Sequence, residues 1–135
     1  MSPLKLQKLL YYAQAWHYTL FDEALIDEEF QAWKHGPVAI SQYYRFADIN
    51  YNAPILVEKY NPEIIDFPEN VEKLLVDVNN IYGEHQASYL EQLTHSEEPW
   101  ITARAGLPSY ESCSNVISLE SMSRFYSKML QANGQ

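Results

Sequence analysis

At 135 residues, with 47% apolar and 20% charged side chains, the chain has the composition of a folded globular protein, and its length suits one domain spanning residues 1–135. A formal net charge of −9 opposes autonomous binding to a phosphate backbone. A single cysteine, Cys113, leaves no internal disulfide, and no apolar run approaches the ~20 residues of a membrane helix.

Ser2-Pro3 is a helix start, with Ser as N-cap and Pro in the first helical position. Leu6, Leu9, Leu10, Ala13, Trp16, His17 and Leu20 then recur at helical spacing, which predicts a core helix over about residues 3–20. Nothing at this end has the pattern of a secretory signal, so a cytoplasmic location is expected. The alternation around Phe30 to Trp33 predicts a short strand that Gly36-Pro37 ends. A helix is expected over 39–48.

Residues 49–67 are rich in Pro, Asn and Asp and read as an irregular excursion, with Ile55-Leu56-Val57 as a candidate strand. Val71, Leu74, Leu75, Val78, Ile81 and Tyr82 define an amphipathic helix that Gly83 stops. Another helix is expected over 85–93. Thr94 and Glu97 have the spacing of a capping box, and Pro99 opens a short helix bearing Trp100 and Ala103. Asn115-Val116-Ile117 suits a short strand, and Ser118 caps a last helix over 119–131. The predicted fold is mainly α: a compact single-domain helical fold with two or three very short strands at most.

Reaction chemistry is hard to find in these residues. His17, His35, His85 and His95 form no His-x-x-x-His pair and have no cysteine at ligand spacing, so no metal and no cofactor is expected. Glu97 and Glu98 are adjacent and would point about 100° apart on a helix, which suits helix-end support better than acid–base work. Cys113 has no histidine near it in sequence to activate it. An enzymatic reading would need His35, His95, Glu97 and Arg104 to gather around one polar pocket.

The surface signals point to binding instead. Residues 46–100 hold two Lys/Arg against eleven Asp/Glu, a face that favours a basic protein partner. Tyrosine is abundant, with the pairs Tyr11-Tyr12 and Tyr43-Tyr44; one ring of each pair is expected near the surface, where tyrosine serves interfaces well. Lys5 and Lys8 lie three apart and are expected to share one helical stripe, most simply a solvated face.

Three segments together resemble one known family: Lys5-Leu6-Gln7-Lys8-Leu9-Leu10-Tyr11-Tyr12, then Ala32-Trp33-x-x-Gly36-Pro37-Val38, then Thr94-His95-x-x-x-Pro99-Trp100. Their order and spacing are similar to the Panacea family of SocA-like antitoxin domains, which includes phage-associated GepA proteins. The family's usual first helix is missing ahead of the Leu-Gln-Lys-Leu segment, which would leave apolar surface open to self-association. The resemblance implies a bacterial or prophage antitoxin, not an enzyme, that neutralises a neighbour-encoded toxin by direct protein binding. One branch of the family implies a second mode, delivery of the toxin to a Clp-type protease. The same residues are compatible with a phage or host regulatory protein, or with an unrecognised enzyme. The candidate partner contacts are Lys5, Lys8, Tyr12, His35, Tyr44, His95 and Arg104, polar or amphipathic positions in or beside the motifs. Gln7, Trp33, Gly36, Pro37, Thr94, Pro99 and Trp100 are expected to be architectural.

Overall fold

The computed structural model describes residues 1–56 and 66–132. These form helices α1 (Pro3–Phe21), α2 (Ile40–Arg45), α3 (Glu69–Tyr82), α4 (Ala87–His95), α5 (Glu98–Ala103) and α6 (Leu119–Ala132), with strands β1 (Phe30–Trp33), β2 (Gly36–Ala39) and β3 (Val116–Ile117). The architecture is mainly α with very short strands, as the sequence predicts.

Helix α1 is the axis of the molecule. Ser2 Oγ accepts the Lys5 N–H at 3.2 Å, and the helix stops where Asp22 turns left-handed (φ 55°). Helices α3, α4 and α6 and strand β2 all pack on it. Being surrounded, α1 buries both rings of its tyrosine pair: Tyr12 stacks flat on Tyr82 (3.9 Å between centroids) and Tyr11 meets Phe30 edge-on (5.7 Å). This corrects the expectation that one of the two would lie near the surface. Leu20, at the far end of the helix, is exposed and does not join the predicted apolar face.

Three polar side chains on α1 are interior because they complete the backbone of their neighbours. Gln7 clamps Ala39, accepting from its N–H (2.9 Å) and donating to its carbonyl (3.1 Å). Gln14 accepts from the Leu25 and Ile26 N–H groups and donates to the Ile26 carbonyl. His17 Nδ1 lies 2.6 Å from the Glu23 carbonyl, so this histidine is a satisfied core group.

The sheet has the order β2-β1-β3, antiparallel throughout, with Phe30 opposite both Ala39 and Ile117. Gly36-Pro37 does not end the strand region; it begins β2. The turn is Lys34-His35, and Trp33 pairs with Gly36. Pro37 is tolerated because β2 is an edge strand. Helix α2 is shorter than the predicted 39–48. Ile55 and Leu56 form no strand, the Ile55 N–H bonding instead to the Met1 carbonyl (2.7 Å), and Val57 lies outside the described residues.

Helix α3 turns Val71, Leu74, Val78 and Tyr82 inward, while Ile81 is exposed. Gly83 follows its last residue in a right-handed conformation; glycine is needed there because a Cβ would sit 2.5 Å from the Asn79 carbonyl oxygen. The capping box at Thr94 and Glu97 does not form. Thr94 lies inside α4 and donates to the Glu91 carbonyl, and Glu97 turns its carboxylate into the core. Ser118 does cap α6, accepting the Ser121 N–H at 3.1 Å.

Candidate functional site

The β1–β2 turn is the place where the interior meets an open cleft. Gly36 holds φ +110°, a conformation that side-chain-bearing residues seldom adopt. It must also be glycine because the Lys8 side chain runs beneath it: a Cβ would lie 2.6 Å from Lys8 Cε and 2.9 Å from Nζ. The Lys8 ammonium is fully buried and makes no hydrogen bond among the described residues. Burial pushes its pKa down to about 8, against the attraction of Glu91. The Tyr51 hydroxyl and His95 Nε2 are likewise buried without a hydrogen-bond partner among the described residues, and Glu91 acts on both. Burial lowers the His95 pKa, opposed by Glu91 and by a hydrogen bond to the Lys34 backbone; Lys8 and Arg104 add to the lowering. Glu91 itself is paired with His35 at 3.3 Å.

Beside the turn lies a cleft of about 510 Å³, which Tyr51 lines and Lys8 and His95 do not. Its apolar wall is Trp33, Val38, Tyr43 and Tyr51. The Lys34-His35 turn and the Ser112-Cys113-Ser114 loop supply the rest of its lining. Tyr43 meets Trp33 edge-on at 4.9 Å and Tyr51 at 5.7 Å.

Two further constellations fix the turn in place. Trp100 Nε1 donates to the Trp33 carbonyl (2.9 Å), and its ring stacks on His95 (4.0 Å) and lies 4.7 Å from the Arg104 guanidinium. Arg104 is buried and donates to the carbonyls of Ala32 (2.8 Å), Pro108 (2.9 Å) and Glu111. It thereby straps the 108–111 segment to β1.

The second constellation is a tyrosine cage around Glu97. Tyr12 and Tyr126 each donate to Glu97 Oε1 at 2.8 Å. Tyr11 lies 3.3 Å from the Tyr126 hydroxyl, whose one proton is given to Glu97, so Tyr11 is the donor in that pair. Burial raises the Glu97 pKa to about 6, and the two tyrosine bonds oppose the rise. Burial pushes all three tyrosines above their ordinary range, the negative charge of Glu97 adding to it in each.

The predicted contact residues therefore separate. His35 and Tyr44 are exposed, Tyr44 at 67%. Lys5 is half-buried, its ammonium 2.5 Å from the Gly83 carbonyl. His95 is half-buried against Trp100. Lys8, Tyr12 and Arg104 are interior and present no surface to a partner, so Lys5 and Lys8 share no solvated stripe. The four groups of the enzymatic reading do not converge on one pocket: Glu97 bonds to tyrosines, Arg104 to backbone carbonyls, and His35 to Glu91 at the surface. Gln7, Trp33, Gly36, Thr94, Pro99 and Trp100 all sit in the packing that joins α1, α4 and α5 to the hairpin, with Pro37 buried in β2. Among the described residues no three His, Cys, Asp or Glu side chains come together as a metal-ligand set, and no helix is long and apolar enough to cross a membrane.

Sequence reasoning missed Tyr126 as a partner of Glu97, and it missed the cleft. Four separate segments supply the cleft, so no local spacing announces it. The family model described as Antitoxin SocA-like, Panacea domain, matches residues 6–101. No curated protein and no solved structure matches the chain.

Proposed function

This chain belongs to the SocA-like antitoxin family with a Panacea domain, and on that premise we propose that it neutralises a toxin encoded beside its own gene by binding it directly. The observation that carries the reading is the family match over residues 6–101, which contains the hairpin, most of α1, α4 and Trp100. The motif residues are occupied in holding those elements together. Partner contacts then fall to exposed groups around the hairpin and α2, of which His35 and Tyr44 are the first candidates, with Lys5 on the neighbouring face of α1. A large exposed tyrosine gives contact area at small rotamer cost, and the net charge of −9 favours a basic toxin surface.

Expressing the adjacent open reading frame alone and then together with this chain tests the reading. Growth arrest relieved by co-expression is the expected result. An immunoblot of the toxin then separates inhibition by occlusion, in which the toxin persists, from delivery to a Clp-type protease, in which it disappears. A harmless neighbour, or an arrest that co-expression leaves unchanged, would overturn the proposal.

A further inference from the structure

The cleft beside the hairpin turn has the size and lining of a small-molecule site. Its volume of about 510 Å³ lies inside the range of roughly 300–1,000 Å³ in which proteins hold compact ligands. Its lining is largely aromatic and apolar, with a smaller polar share from Lys34, His35 and the Ser112-Cys113-Ser114 loop, a composition common to ligand sites.

Its charge is out of character with the rest of the chain. Eighteen Asp and Glu oppose nine Lys and Arg in the sequence, yet among the described residues no carboxylate lines this cleft, while Lys34 and His35 do. The neighbouring carboxylate, Glu91, is held by His35 at 3.3 Å. Beneath the turn stands a second cation, Lys8, fully buried and without a hydrogen bond among the described residues, and at the wall stands Tyr51 with a buried hydroxyl in the same condition. Unpaired buried donors cost stability, and a folded protein seldom keeps several of them together without a use. Lys34 is an exposed cation on a cleft that no carboxylate lines among the described residues. Three serine and cysteine side chains, Ser112, Cys113 and Ser114, complete the lining.

We propose that this cleft binds a small planar organic anion, a ring carrying a carboxylate or a phosphate, with the ring against Trp33, Tyr43 and Tyr51 and the anionic group at Lys34. This site is additional to toxin binding, and its test uses no toxin, so the two readings fail separately.

Cys113 is the chain's one cysteine and lines the cleft, which makes it a built-in reporter. The experiment follows alkylation of Cys113 by iodoacetamide in the full chain with four probes: indole-3-acetate, adenosine monophosphate, adenosine and inorganic phosphate. At least one of the two ring anions is expected to slow alkylation saturably, by about fivefold or more, and adenosine and phosphate alone to have little effect. Protection by indole-3-acetate only marks a carboxylate ligand; protection by adenosine monophosphate only marks a nucleoside phosphate. Lys34→Glu, an exposed change, is expected to raise the half-saturating concentration about tenfold or more, read as the ratio of protected to unprotected rate within each protein, while the circular dichroism stays the same. Absence of protection by both ring anions up to about 10 mM overturns the proposal. So does protection by adenosine equal to that by its phosphate, or protection indifferent to Lys34→Glu.

Discussion

Lys8 and Tyr12 are one turn apart on α1, and both are completely buried, but their polar ends meet opposite environments. Tyr12 joins a closed set in which Tyr12, Tyr126, Tyr11 and Glu97 give and accept hydrogen bonds among themselves. Lys8 ends beneath Gly36 with no acceptor among the described residues, and polar atoms of Tyr51 and His95 are buried in the same condition. A satisfied buried network rigidifies and specifies a core, whereas a half-satisfied one is a standing cost. The Glu97 side of α1 is thus satisfied and architectural, whereas the Lys8 side carries an unsatisfied buried charge.

Breaking the satisfied side gives the largest effect. Glu97→Ala leaves the Tyr12 and Tyr126 hydroxyls without their acceptor and opens a cavity, a loss of about 3–5 kcal/mol in urea unfolding. Glu97→Gln, which keeps an acceptor oxygen, should lose about 1 kcal/mol or less. A Gln variant as damaging as the Ala variant would show that the charge, not the acceptor, matters.

Next in size is Gly36→Ala on the other side. The left-handed φ and the close approach of Lys8 Cε predict a loss of about 2–3 kcal/mol, read from the same unfolding curves. Combining it with Lys8→Ala should recover part of the loss, because the double change removes the atoms that the new Cβ would meet.

Glu97 also sets a pH dependence whose sign is opposite to that of a salt-bridged carboxylate. Its folded pKa is raised from the ordinary 4.5 to about 6, so the folded protein binds the extra proton between those values. This group's contribution is therefore present below about pH 4.5 and is lost as pH rises through about 6, a change of about 2 kcal/mol. The difference between wild type and Glu97→Gln across that window isolates it; a difference that stays flat would contradict the raised pKa. The smallest effect on folding is expected at Tyr44→Ala, within about 0.5 kcal/mol because the ring is 67% exposed. The same variant should weaken rescue from the toxin, and unimpaired rescue would remove Tyr44 from the contact surface.

Much of this division is unreadable in the sequence for a physical reason. Helix starts, strand β1, the α3 stripe and the final helix are legible because Ser2-Pro3, the alternation at Phe30 and Val71-Leu74-Val78 are local signals. Burial of Lys8, Tyr12 and Arg104 is not, since polar residues at a helix surface read as solvated until it is known that other elements enclose the helix on several sides. Strand β2 is hidden because Gly-Pro is ordinarily a terminator, and only edge position and the Lys8 stem below explain its use here. The Thr94-x-x-Glu97 spacing suits a cap, and tertiary partners on α1 and α6 take Glu97 away from it. For the cleft, Trp33, Tyr51 and Cys113 come together only through the fold.

If the Lys8 ammonium is held without a partner, its buried charge is a cost, and urea unfolding of Lys8→Met tests this most directly. Methionine fills similar space and removes the buried charge. The expected variant is more stable than wild type by about 1–3 kcal/mol at pH 7. Because the folded pKa is lowered from 10.5 to about 8, wild-type stability rises with pH between those values, so the advantage of methionine should shrink across that window. A Lys8→Met protein less stable than wild type at pH 7 would mean that Lys8 belongs to the architecture, and it would contradict the contrast between a satisfied and an unsatisfied side of α1.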